Sequence, residues 1–181
     1  MTRDSGRQAV YRAEHQVWKA VERAVAGGTV DFFGSQLRLP AERKFASIAE
    51  IQGFVDDVMT AAEVQGQWPG VKSPTVRHRV GRTQAHYEPA SAVIAIPSDV
   101  TWAMRELVVL HECAHHIISY TYIYGANRGS GEQRIASHGL EFVAVYVQLV
   151  SWILGDEVAL LLRAAFDGQN IVVRPLSEVS V

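Results

Sequence analysis

Two histidines and a glutamate form the most chemically specific pattern in the chain. His111, Glu112 and His115 belong to the run HECAH at 111–115, an H-E-x-x-H sequence. On a helix, four residues turn the chain by about 400°, so the two imidazoles project from nearly the same direction. Neutral imidazole nitrogen suits zinc, and a catalytic zinc takes three protein ligands and keeps one position for water. The pattern predicts His111 and His115 as zinc ligands and Glu112 as the base that takes the proton of that water.

The same residues could instead be two hydrogen-bonded histidines in a core helix. Apolar residues occupy most of the sequence around the motif, from Trp102 to Ile118. Two imidazoles and a carboxylate buried together need a metal ion or a cleft to receive them. The apolar context therefore favours the metal site.

A catalytic zinc site needs a third ligand from elsewhere in the chain. His116 lies about 100° round the helix from His115, which favours a supporting or surface role. His138 follows a glycine-rich segment and begins the next predicted helix, which could return it to the motif. Glu141 is the alternative, and it could also hydrogen-bond a ligand imidazole from the same helix face. The residues alone leave both candidates open.

The motif and the run HGLEF at 138–142 together resemble the HExxH…HGxxF pattern of SprT-like (Spartan-type) zinc metalloproteases. This resemblance covers about residues 98–152. The run RDSGRQAVYRAE at 3–14 is also similar to a group of actinobacterial metallohydrolases with HExxH sites. The resemblance implies Zn2+ bound by His111, His115 and His138, with Glu112 as the catalytic general base. It also implies that Gly139 lets the helix start lie close to the site and that Phe142 packs beneath it.

The chain departs from this family in composition. SprT-like proteins often carry a zinc ribbon or DNA-binding segments, whereas this sequence has a single cysteine and a formal net charge of −2. The single cysteine excludes a four-cysteine zinc ribbon. The net charge gives no overall electrostatic attraction to nucleic acid or anionic lipid. The resemblance to SprT-like proteins therefore does not imply that this chain acts on DNA-bound proteins.

Size and composition predict one globular domain over 1–181, with 48% hydrophobic residues and 20% charged residues. The lone Cys113 excludes an internal disulfide and fits the reducing cytoplasm. No secretory signal is evident at the N-terminus, and the most apolar run, 142–154, is shorter than a bilayer requires. We expect a cytoplasmic protein that acts on a peptide or protein substrate and makes no membrane contact.

Apolar spacing and turn residues predict an α+β, zincin-like fold in which a small sheet precedes the motif helix. Ser47 and Glu50 form a capping box for the second helix, and Ser98 or Asp99 could cap the motif helix. A hairpin around Gly81 could join the first two strands. The predicted helices cover 7–25, 47–65, 98–121, 137–154 and 157–166, and the predicted strands cover 75–80, 83–88 and 92–96. The segment 29–40 is expected to be an irregular or short extended connection, and 125–131 a loop.

For the weaker sequence signals we favour a structural role over a functional one. The basic cluster of Arg77, His78, Arg79 and Arg82 could meet phosphate but is more typical of a solvated surface. Tyr87 on an edge strand is expected to cover core. Three tyrosines follow the motif, and one of them could donate to an oxyanion, but packing is the default role; these are Tyr120, Tyr122 and Tyr124.

The sequence thus predicts a zinc-dependent metallohydrolase that cleaves peptide bonds. The alternative is a non-catalytic zincin-fold module that binds another protein. A latent protease, with 125–131 covering the cleft until a partner arrives, would also fit.

Overall fold

The structure is a computed structural model and describes residues 6–24, 28–124 and 137–179. Within these residues six α-helices combine with two small β-sheets, which confirms the α+β class. None of the described helices has the length and apolar character needed to cross a bilayer.

The elements follow one another in an order close to the predicted one. In chain order they are α1 (Arg7–Arg23), β1 (Thr29–Phe32), β2 (Ser35–Arg38), α2 (Ile48–Thr60), α3 (Ala62–Gln67), β3 (Thr75–His78), β4 (His86–Glu88), β5 (Val93–Ile96), α4 (Glu106–Tyr124), α5 (Leu140–Leu154) and α6 (Asp156–Asp167). They form two compact units, which are described separately. Among the described residues, the terminal unit comprises 6–24, 28–42 and 137–179, and the central unit comprises 43–124.

The terminal unit is built on packed helices. α1 contacts α6, which in turn contacts α5. The buried face of α1 repeats at three- and four-residue steps, as its sequence predicts, and consists of Val10, Ala13, Val17 and Val21. Gly155 joins α5 to α6 with a φ of +98°, a conformation that residues with a side chain rarely adopt.

A hairpin in the terminal unit occupies most of the segment 29–40, where an irregular or short extended connection was expected; the segment is extended, and its two strands pair. β1 and β2 pair antiparallel, and Phe33 and Gly34 have φ values of 49° and 81° in the two-residue turn. Positive φ at both positions is the twist that such hairpins favour. The usual Asn-Gly signal is missing here because Phe33 takes the first position.

The central unit begins with the predicted capping box. The Ser47 hydroxyl accepts from the Glu50 amide at 3.2 Å, and the Glu50 carboxylate accepts from the Ala46 amide at 3.0 Å. α2 ends at Thr60 because Ala61 takes an extended conformation, with ψ of 140°. The prediction of one helix up to residue 65 is therefore wrong, since α3 is a separate helix.

Replacing Ser47 with alanine is expected to lower the free energy of unfolding by about 1 kcal/mol, because the Glu50 amide loses its acceptor. Urea denaturation measures this change. Ser91→Ala is the control, because Ser91 is exposed and caps no helix. Equal stability of the Ser47 variant and the wild type would contradict the capping role.

The three-stranded sheet has the order β3-β5-β4. β5 pairs parallel with β3 and antiparallel with β4, so the hairpin predicted around Gly81 between the first two strands is wrong. β5 is apolar along its whole length and its last three residues are buried, which is typical of a strand covered on both faces of its sheet. β4 is an edge strand, as predicted.

The motif helix α4 begins later than predicted. Ser98 and Asp99 do not cap it: a 3-10 turn at Thr101–Ala103 and a bridge between Arg105 and Lys44 precede its first residue, Glu106. The Glu106 carboxylate accepts from the Arg43 amide at 3.0 Å. Contacts with β4 and α2 hold α4 within the central unit.

Three further predictions concern the C-terminal half. α5 begins at Leu140 after an extended Gly139, close to the predicted start at 137, and α6 matches the last predicted helix. The loop expected over 125–131 lies outside the described residues.

Candidate metal centre

α4 brings the two motif histidines together one turn apart. The Nε2 atoms of His111 and His115 lie 3.2 Å from each other, and the ring planes meet at 68°. His111 is only 4% exposed, whereas His115 is half-buried. The pair thus has one ring in the protein interior and one with access to solvent.

His138 lies just before α5 and is packed between two aromatic rings of the terminal unit. Its ring centroid is 4.8 Å from that of Phe142 and 5.8 Å from that of Tyr11, both edge-on. Phe142 is fully buried, in agreement with its expected place beneath the site. Edge-to-face contacts of this kind restrict how the imidazole can rotate.

The structure brings together the three histidines that the sequence singled out. One ring nitrogen from each of His111, His115 and His138 lies within 4.8 Å of the other two. Neither Glu141 nor His116 belongs to this cluster. The three histidines are close enough to bind a metal ion.

The donor set fits a transition metal. Around a tetrahedral zinc with Zn–N bonds of about 2.0–2.1 Å, two ligand nitrogens lie about 3.3 Å apart. The His111–His115 nitrogen separation of 3.2 Å is close to this value. Three imidazoles are the protein ligands of some catalytic zinc sites, where a fourth position is left for water. Imidazole also suits copper, iron and nickel, so the cluster itself does not select the metal.

Glu112 is the carboxylate placed beside the His111 and His115 pair along α4. It is 4% exposed, and helix geometry sets it about 100° round the axis from His111. Complete burial raises the pKa of the neighbouring Cys113 thiol, and the Glu112 charge adds to this shift. Cys113 is therefore a protonated core side chain, as expected, and not a metal-binding thiolate.

His116 is a buried structural residue of the central unit. Its Nε2–H donates to the Lys72 carbonyl at 2.7 Å, so Nδ1 is left to accept from the Tyr87 hydroxyl at 3.0 Å. Burial lowers the pKa of His116, and the bond to Lys72 opposes this shift. The neutral ring links α4 to the edge strand β4, and Tyr87 covers core as predicted.

Replacing Tyr87 with phenylalanine is expected to cost about 1–3 kcal/mol of unfolding free energy, because buried His116 loses a donor to Nδ1. Thermal and urea unfolding measure the change. Tyr120→Phe is the matched control: its hydroxyl donates to the Pro69 carbonyl in an exposed setting, so a smaller loss is expected. A larger loss in the Tyr120 variant than in the Tyr87 variant would contradict the buried network.

Sequence reasoning missed the residues that support the histidines. Tyr11 reaches His138 from a distant helix, and the Lys72 carbonyl holds His116. The similarity noted over 3–14 includes Tyr11 but gives no contact. A backbone carbonyl leaves no trace in a residue pattern, so Lys72 could not have been found.

Comparisons with known proteins add no relative. No protein-family model matches the chain, and neither curated proteins nor solved structures provide a match. The resemblance to SprT-like proteases thus rests on the residues at 111–115 and 138–142 alone.

Proposed function

We propose that this chain is a zinc-dependent metallopeptidase with a zincin-like, SprT-like site. Its zinc ligands are His111, His115 and His138, and its general base is Glu112. The observation that carries the proposal is that one ring nitrogen from each of the three histidines lies within 4.8 Å of the other two, with His111 and His115 on the helix that also bears Glu112.

The chemistry follows from this donor set. A zinc ion held by His111, His115 and His138 would lower the pKa of its water towards about 7 and would polarise the carbonyl of the scissile amide. Glu112 takes the water proton as the oxygen attacks the carbonyl carbon. It then delivers that proton to the leaving nitrogen as the C–N bond breaks.

The neighbouring residues keep the base and the ligands in place. Partial exposure of His115 supplies a route from solvent to the ligand pair. Burial of Glu112 keeps bulk water from competing for its proton. Phe142 and Tyr11 hold His138 from two sides, so the third ligand does not have to be ordered when the metal binds.

The experiment that tests the proposal is metal-dependent cleavage of a mixed peptide library, read by mass spectrometry. We expect products from the zinc-loaded chain, none after treatment with a chelator, and recovery when zinc is returned. A peptide hydroxamate, which ligates an open zinc position, should block cleavage. Cleavage that persists unchanged in chelator would contradict the proposal, as would a zinc-loaded chain that neither cleaves the library nor binds the hydroxamate.

A further inference from the structure

A second cluster of reactive side chains lies in the central unit and is not used by the metal site. His78 is the last residue of β3, and Ser98 follows β5 by two positions. The two strands run parallel, with His78 opposite Ile96. Both side chains therefore lie at the carboxyl ends of parallel strands, where open sheets commonly bind ligands.

The hydrogen bonds to His78 fix its tautomer. The backbone N–H of Ser98 donates to His78 Nδ1 at 3.4 Å, so this nitrogen carries no proton in the neutral ring. The Ser98 hydroxyl lies 2.5 Å from the same nitrogen and must donate to it. His78 is thus positioned as a base towards the Ser98 hydroxyl, and its proton resides on Nε2.

The Asp99 carboxylate faces the other ring nitrogen of His78. One of its carboxylate oxygens is 3.5 Å from His78 Nε2. An imidazolium formed when His78 takes a proton would be stabilised by this carboxylate. A nucleophile beside a base that a third group orients is the arrangement that activates serine hydroxyls.

The backbone presents Ser98 on a tight turn. The Val100 amide donates to the Pro97 carbonyl at 3.0 Å, so Ser98 and Asp99 take the two central positions of a four-residue turn that follows β5. The His78 side chain is 33% exposed and Ser98 is half-buried. Both residues of the pair are therefore partly exposed to solvent.

We propose that Ser98 is the nucleophile of a second, metal-independent site that hydrolyses small activated carboxylic esters, with His78 as its base. Ser98 Oγ attacks the ester carbonyl carbon while its proton passes to His78 Nδ1. The C–O bond to the alcohol then breaks, and the alcohol leaves with that proton. Water attacks the acyl-serine and gives its proton to His78, and Ser98 recovers it as the carboxylic acid departs.

The test uses a fluorophosphonate probe on the whole chain, with the labelled residue identified by peptide mass spectrometry. Ser98 Oγ should form a bond to phosphorus as the P–F bond breaks, fluoride leaves, and the serine proton passes to His78 and on to solvent. We expect the label on Ser98 and an equal rate in the presence of a chelator. Ser91 is the internal control, because its exposed hydroxyl bonds the Glu88 carboxylate and has no histidine base among its hydrogen-bond partners.

Variants separate catalysis from a structural tie between the strands. His78→Ala should slow labelling at least about 100-fold, and added imidazole should restore part of the rate, which a merely structural histidine would not allow. The same variant should slow the release of p-nitrophenol from p-nitrophenyl acetate. Absence of label on Ser98, label on Ser91 at a similar rate, or an unchanged rate in His78→Ala would overturn the proposal. None of these results bears on the three-histidine site.

Discussion

Replacing Glu112 with glutamine is expected to abolish peptide hydrolysis while zinc remains bound. Glutamine keeps the size of the side chain but cannot accept the water proton, so the loss should be at least about 100-fold and up to about 10,000-fold in kcat. Glu112 is buried beside His111 and is not itself a member of the three-histidine cluster. The zinc content should therefore stay at one ion per chain.

The measurement combines turnover of a cleaved peptide with metal analysis of the same sample. Glu141→Gln is the matched control: Glu141 is close to His138 in sequence but lies outside the cluster, so turnover should persist. Full activity in the Glu112 variant would show that Glu112 is not the general base. Loss of zinc in that variant would instead make Glu112 a ligand or a support for one.

Replacing His138 with alanine is expected to remove the metal. Substitution of residues that only support a ligand weakens metal binding by about 10–100-fold, and removal of a ligand should exceed that range. In the wild type, zinc at about 1,000 times its Kd adds about 4 kcal/mol to the free energy of unfolding. This increment should be lost in the variant, whose Tm should no longer respond to zinc or to a chelator.

Two further substitutions make this result specific. His86→Ala removes an exposed histidine on β4 that is not in the cluster, and it should leave the zinc response intact. Glu141→Ala addresses the alternative ligand and should also keep zinc. A chain that binds zinc equally well without His138, but loses it without Glu141, would show that the third ligand had been assigned wrongly.

Local signals allowed most of the helices to be predicted. The step of three and four residues in α1 and the Ser47–Glu50 capping box act within one or two turns, so the sequence suffices to locate them. The start of α4 was misplaced because the Ser98 hydroxyl donates to His78 on another strand and is not a helix cap. A pairing between Lys44 and Arg105 then delays the helix to Glu106.

Strand order could not be predicted in the same way. β3 and β4 are neighbours in sequence, and turn residues between them suggested a hairpin. β5 instead inserts between them, because pairing depends on which faces the packed helices cover, and that is a non-local property. Only the apolar character of β5 hinted at its central place.

In the candidate site, too, local spacing predicts some contacts and the fold determines the others. His111 and His115 are juxtaposed by helix geometry alone, so the pair was predictable from spacing. His138 was selected over Glu141 only through the resemblance to the HGxxF pattern. The contact between Tyr11 and His138 joins distant parts of the chain, and no periodicity reveals it.

Anomalous diffraction above the zinc absorption edge, from crystals grown with zinc, tests the central claim most directly. The account predicts one strong peak bonded at about 2.0–2.1 Å to a ring nitrogen of each of His111, His115 and His138, with a fourth position facing solvent. A map with no peak among these rings, or a peak held by other side chains, would contradict it.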